Sequence, residues 1–86
     1  RYVLLDVSKW SNTAPYTQEV DVPGILFTDT PIVALHLSGN ESSEAVRALN
    51  KQFSKVDFVE TLDGKIRVKC FNKKPEFSFY IALKGV

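Results

Sequence analysis

The chain has 86 residues, 44% of them hydrophobic and 24% charged, the proportions of one globular domain and not of a disordered or fibrous chain. No apolar run approaches the roughly 20 residues that a membrane-spanning helix needs, and no secretory leader is visible. The net charge is +1 and the isoelectric point about 8.1, short of the value above about 9 that marks a nucleic-acid-binding domain.

The charge is unevenly spread. Residues 1–44 carry two basic and six acidic side chains, whereas residues 45–86 carry nine basic and four acidic. Such asymmetry can steer like chains head to tail or attract an anionic surface. Cys70 is the only cysteine, so no internal disulfide forms; on an apolar strand face it reads as a buried small hydrophobe. The chain begins at Arg1 and enters strand-forming residues at once, so we expect one domain, 1–86, that is a module of a longer protein.

Tyr2 to Ser8 is read as a strand with Val3, Leu5 and Val7 on one face. Lys9 to Pro15 is a loop rich in turn formers. Tyr16 to Val22 alternates, with Tyr16, Gln18, Val20 and Val22 on the inner face. Pro23-Gly24 ends that strand, because proline cannot donate to a ladder. Ile25-Leu26-Phe27 is a short apolar piece read as a strand extension, and Thr28 to Pro31 as a turn. Ile32 to Leu37 is apolar at nearly every position, the pattern of a strand buried on both sides.

The period then changes. Val46, Leu49, Phe53 and Val56 recur at steps of three and four, which predicts one amphipathic helix over about 42–54. Asn40, Ser42 or Ser43 can cap it, and Glu41 and Glu44 suit its positive end. Asn40-Glu41-Ser42 also matches a glycosylation acceptor pattern, but Asn40 reads more simply as a turn or cap residue. Asp63-Gly64 is a strong hairpin signal. A two-residue turn there pairs Leu62 with Lys65, Glu60 with Arg67, Val59 with Val68 and Phe58 with Lys69. Val59, Thr61, Ile66, Val68 and Cys70 then share the core face. After a turn at Asn72–Glu76, Phe77, Phe79, Ile81 and Leu83 form the inner face of the last strand. The chain is therefore expected to be mostly β, α+β by content: an antiparallel β-sandwich of about six to seven strands with the helix inserted mid-chain.

Few side chains suggest chemistry. His36 sits inside the most apolar strand and reads as a packed core or edge histidine. One His and one Cys 34 positions apart match no zinc spacing, and the isolated glycines form no phosphate-cradling loop. We therefore expect no enzyme, no metal and no cofactor. Lys65, Arg67 and Lys69 form a basic stripe with Phe58 and Tyr80 as stacking surfaces, yet lysines on a strand's solvent face also keep it soluble. Trp10, Asn12 and Tyr16 combine aromatic rings with polar handles and suit a carbohydrate or cell-wall ligand. Alternatively, Trp10 and Tyr16 fold back to close the end of the sandwich.

Read in order, the chain shows Trp10-Ser11, Ala14-Pro15-Tyr16-Thr17-Gln18, Val20 and Val22, Gly24-Ile25, Pro31-Ile32-Val33, Leu37-Ser38-Gly39, a helix, Asp63-Gly64, Cys70 and Lys74-Pro75. This order resembles a β-rich module, often C-terminal, of tail, fibre, baseplate and decoration proteins in phages and prophages of Gram-positive hosts. The resemblance covers most of the chain and rests on the order of the motifs. It implies a non-enzymatic structural protein of the virion, assembled in the host bacterial cytoplasm. It also implies a homo-oligomer, with a trimer as the first expectation because fibres commonly are trimers. Other virion proteins would be its partners, and a host-surface glycan would be a possible target. It carries over no catalytic residue. Ile25-Leu26-Phe27 is more apolar than the family's segment after Gly-Ile, and marks an oligomer contact. The second half is also more basic than the family's.

Overall fold

Alternating side chains and one change of period produce three strands, a helix and three strands. A computed structural model, which describes residues Arg1–Val86, places β1 at Tyr2–Leu5, β2 at Tyr16–Asp21 and β3 at Ile32–Leu35. The helix α1 spans Ser43–Phe53, followed by β4 at Phe58–Leu62, β5 at Lys65–Cys70 and β6 at Phe79–Lys84. The strands form two antiparallel three-stranded sheets, ordered β1-β6-β3 and β2-β5-β4. This is the expected sandwich.

The hairpin register is the expected one, with Leu62 opposite Lys65, Glu60 opposite Arg67 and Val59 opposite Val68. Gly64 takes the positive φ of +79° that the turn demands, a conformation glycine adopts without a Cβ clash. Ile66, Val68 and Cys70 are fully buried, as are Leu5, Ile81 and Leu83 from the opposite sheet. Burying each such aliphatic side chain contributes about 1.5–3 kcal/mol. The helix starts at Ser42, whose Oγ accepts the Ala45 N–H at 3.1 Å. Leu49, Phe53 and Val56 lean on the core, and the Phe53 ring meets Phe79 edge-on at 6.4 Å.

Four expectations are corrected. β1 stops at Leu5 because the Asp6 carboxylate accepts the Ser8 N–H and hydroxyl at 2.9 and 2.7 Å. It thereby caps a single 3-10 turn over Val7–Lys9, a competing local bond typical of Asp; Val7 leaves the core face. Ile25-Leu26-Phe27 is a turn, not a strand. β3 is an edge strand rather than a doubly buried one, and Ile32 is 68% exposed. The central strand of that sheet is β6, in which even the outward Ala82 is buried, although Tyr80 and Lys84 on the same face are exposed. Tyr2, the cross-strand partner of Ala82, stacks on His36 with ring centroids 3.9 Å apart; only a side chain as small as Ala82 leaves room for that pair across β6. Finally, Phe77 lies before β6, outside the core cluster, and is 37% exposed.

The two flanks of the sandwich differ. On one, β1 approaches β2, and the buried Gln18 joins them through the backbone of Asp6. On the other, β3 and β4 are both edge strands, with α1 packed beside β3.

Candidate functional site

The flank at β3 and β4 is built by a stitched turn. The Val22 N–H donates to Gly64 O at 2.9 Å, and the Gly64 N–H donates to Ile25 O at 2.8 Å. This draws Ile25 against the hairpin tip, where it is 2% exposed. The next residues turn outward. Leu26 N–H donates to the Asp29 carboxylate at 2.9 Å, and Phe27 N–H donates to Asp63 Oδ1 at 3.0 Å. The Thr61 hydroxyl of β4 lies 3.1 and 3.0 Å from the carbonyls of Phe27 and Asp29. Polar contacts therefore hold the backbone, while the side chains of Leu26 and Phe27 remain 54% and 66% exposed.

Between this turn and β4 runs an open groove of about 580 Å³, lined by Phe27, Pro31, Val33, Phe58, Val59 and Leu62 together with Asp29, Thr30, Glu60 and Thr61. A smaller hollow of about 230 Å³ shares Val33, Phe58 and Val59 and reaches Phe53 and Val56 beside the helix. Val33 and Val59 pack against the core yet stay half-buried, so the core opens to solvent along this flank. Of the expected contact residues, Leu26 and Phe27 are presented to solvent. Ile25 is corrected to a core residue.

The Trp10–Tyr16 loop closes the end of the sandwich instead of projecting a grip. Trp10 is 6% exposed and belongs to the core cluster, with its Nε1–H unpartnered. This corrects its reading as a sugar-stacking ring. The loop is tied by Ser11, whose N–H donates to Thr17 O at 3.0 Å and whose Oγ accepts the Thr17 N–H at 3.0 Å. Tyr16 is half-buried, with Lys74 Nζ 5.4 Å from its ring centre. Only Asn12 of the three is exposed.

The basic stripe is interleaved with carboxylates. Lys65 and Arg67 reach Glu19 at 3.2 and 2.9 Å, and Arg67 and Lys69 reach Glu60 at 3.2 and 4.0 Å. The Arg67 guanidinium, then Lys65, holds Glu19 below the usual carboxylate range, and Glu19 in turn raises Arg67. Sequence pairing pointed to Glu60; Glu19 is added by β2, which lies on the other side of β5. Cys70 is buried, and its thiol is pushed up to about 11, first by burial and then by the charge of Asp57. No group of three or more His, Cys, Asp or Glu side chains is gathered as a metal site, and no helix is long and apolar enough to cross a membrane.

No family model matches the chain, and no curated protein or solved structure matches it either.

Proposed function

We propose that this chain is a non-enzymatic assembly module of the virion structural type, that of tail fibre, baseplate or decoration proteins, joining copies of itself and neighbouring virion chains. The order of motifs from Trp10-Ser11 to Lys74-Pro75 supports the virion part of this reading. The observation that carries the assembly part is the β3–β4 flank. There Phe27, its backbone held by Asp63 and Thr61, lines one groove with exposed Phe58, over a core that is open at Val33 and Val59, and exposed Leu26 precedes it in the chain. Contiguous apolar surface held in place by polar bonds is suited to a partner, because little ordering remains to be done on docking.

Physical economy points the same way. A small single domain is only marginally stable, by about 5–15 kcal/mol, and binding of a partner to the folded state raises its stability by mass action. Light scattering after size exclusion, over a wide concentration range, tests the reading. A mass that is a multiple of 9.7 kDa supports self-assembly, with three copies as the expected number. A mass of 9.7 kDa at every concentration overturns it.

A further inference from the structure

We infer that the outer face of the β1-β6-β3 sheet binds a neutral oligosaccharide, with the rings of Tyr2, His36 and Tyr80 as its stacking platform. This face lies apart from the β3–β4 groove, so the inference holds or fails independently of the assembly reading.

The two sheets present different outer faces. On β2-β5-β4, the outward Glu19, Glu60, Lys65, Arg67 and Lys69 are joined in one set of ion pairs, an ordinary solvent face. On β1-β6-β3, Val3, Leu5, Phe79, Ile81 and Leu83 are buried in the core, and alternation sends their neighbours outward. Those neighbours are Tyr2 and Leu4 on β1 and Tyr80, Ala82 and Lys84 on β6, with Ile32 and Ala34 on β3 and His36 just beyond it. No carboxylate is among them, and Lys84 supplies one ammonium. Arg1, next to Tyr2, directs its guanidinium to the Pro23 carbonyl.

Register gathers the three rings. The His36 N–H donates to Tyr80 O at 3.0 Å, which sets these two residues side by side. Tyr2 stands opposite Ala82, one diagonal step from Tyr80, a separation of about 7–8 Å. Across the small Ala82 the Tyr2 ring stacks on His36, with centroids 3.9 Å and planes 24° apart. Tyr2 nevertheless remains 66% exposed and Tyr80 49%. The rings are thus held by one another while much of their surface stays open, so little ordering remains to be done on binding.

Charge and size select the ligand. A pyranose shows C–H groups on one side and hydroxyls around its edge. The C–H side suits the negative face of an aromatic ring, and the Tyr hydroxyls and imidazole nitrogens suit the sugar hydroxyls. Exposed Leu4 and Ile32 at the margins extend the apolar contact to a substituent methyl. Without a carboxylate the face has nothing to hold a cation. One ammonium falls short of the basic track that a nucleic-acid backbone requires. Three strands about 4.8 Å apart and four residues at about 3.4 Å give a face of roughly 14 by 14 Å. That is far below the about 800 Å² that each partner contributes to a standard protein interface, but it accommodates a few sugar rings.

The test titrates the isotope-labelled full chain with tri-N-acetylchitotriose, cellotriose and mannotriose, followed by amide NMR. The inference predicts that at least one of the three binds in the millimolar range or tighter, with shifts centred on Tyr2, Leu4, His36 and Tyr80 and none along β4. Tyr2→Ala and Tyr80→Ala each weaken that binding at least about tenfold while leaving the spectrum of the other sheet unchanged. Tyr2→Phe, which keeps the ring, retains most of the binding, and Phe58→Ala retains all of it. The inference is overturned if none of the three sugars shifts these amides at millimolar concentration, or if Tyr2→Ala binds as the wild type does. Tighter binding of oligothymidylate at the same amides overturns it in favour of nucleic acid. A lower molar mass of the Tyr2→Ala, Tyr80→Ala double variant overturns it in favour of a second copy on this face.

Discussion

The side-chain amide of Gln18 grips both backbone polar groups of Asp6: its Oε1 accepts the Asp6 N–H at 3.0 Å, and its Nε2 donates to the Asp6 carbonyl at 2.9 Å. Gln18 is buried on β2, and Asp6 lies just beyond the end of β1, so one side chain does across two sheets what a ladder rung does within one. It seals the flank opposite the groove.

Gln18→Leu removes both bonds while keeping similar bulk. The two bonds to Asp6 are partly buried, so its freed groups are only partly rehydrated. A loss of about 2 kcal/mol is expected, at the cost of leaving buried polar groups unpaired. Urea denaturation measures it. A change below about 0.5 kcal/mol, the range of a neutral surface substitution, would show that the amide is not a fastener.

Much of this framework was legible in the sequence. The Asp63-Gly64 turn and the alternation of Ile66, Val68 and Cys70 fixed both register and core face, because a one-residue slip would turn the whole hydrophobic set outward. The helix was equally clear from Val46, Leu49 and Phe53. Strand order was not. An apolar run such as Ile32–Leu37 reads as central, yet the central strand is β6, where a small residue, Ala82, lets neighbouring rings close over it. Gln18 stood on the inner face of an alternating strand, which signalled burial but not its partner. Gln52, the one fully buried helix residue, lay beside the apolar stripe and gave no signal. The site was half legible: the apolar Ile25-Leu26-Phe27 stood out, but the hydrogen bonds that turn Ile25 inward and Phe27 outward include those to Thr61, Asp63 and Gly64, 34 or more positions away.

Gln52 is a second fastener of the same kind. Its Oε1 accepts the Glu76 N–H at 2.7 Å and Lys55 Nζ at 3.1 Å, and Lys55 also pairs with the Glu76 carboxylate at 3.0 Å. This joins the end of α1 to the turn before β6. Gln52→Leu should cost about 1–3 kcal/mol and selectively speed exchange of the Glu76 amide. Unchanged exchange there would contradict the assignment.

Trp10 separates a core role from a binding role. Trp10→Ala should cost about 3–5 kcal/mol, the range for emptying a large aromatic site. Trp10→Phe should cost far less, about 1 kcal/mol, because it discards a buried Nε1–H that has no partner and whose desolvation is unfavourable. Emission of Trp10 should be blue-shifted and resistant to iodide until the chain unfolds. Quenching in the native state would return the ring to the surface.

Glu41 gives a pH signature. Its carboxylate accepts the N–H groups of Ser38 and Gly39, both at 2.9 Å, and together with its own N–H these hold it down from 4.5 to about 2, Ser38 contributing most. A carboxyl whose folded value is depressed adds stability that is complete above its unfolded value and disappears as pH falls through the folded one. Stability should therefore decline between pH 4.5 and about 2, helped by Glu19, Glu76 and Asp6, which are shifted in the same direction. Glu41→Gln should be less stable near neutrality and flatten the decline. An identical pH profile in the variant would dismiss Glu41 as its source.

The most direct test of the account is the solution molar mass of the wild-type chain beside that of the Phe27→Glu, Phe58→Glu double variant, at matched concentrations. Both rings are exposed and neither belongs to the core cluster, so the variant should fold. The account predicts a wild-type oligomer, a multiple of 9.7 kDa, and a variant that elutes as a folded 9.7 kDa monomer. Equal masses for the two proteins, whether both assembled or both monomeric, would contradict assembly through this flank.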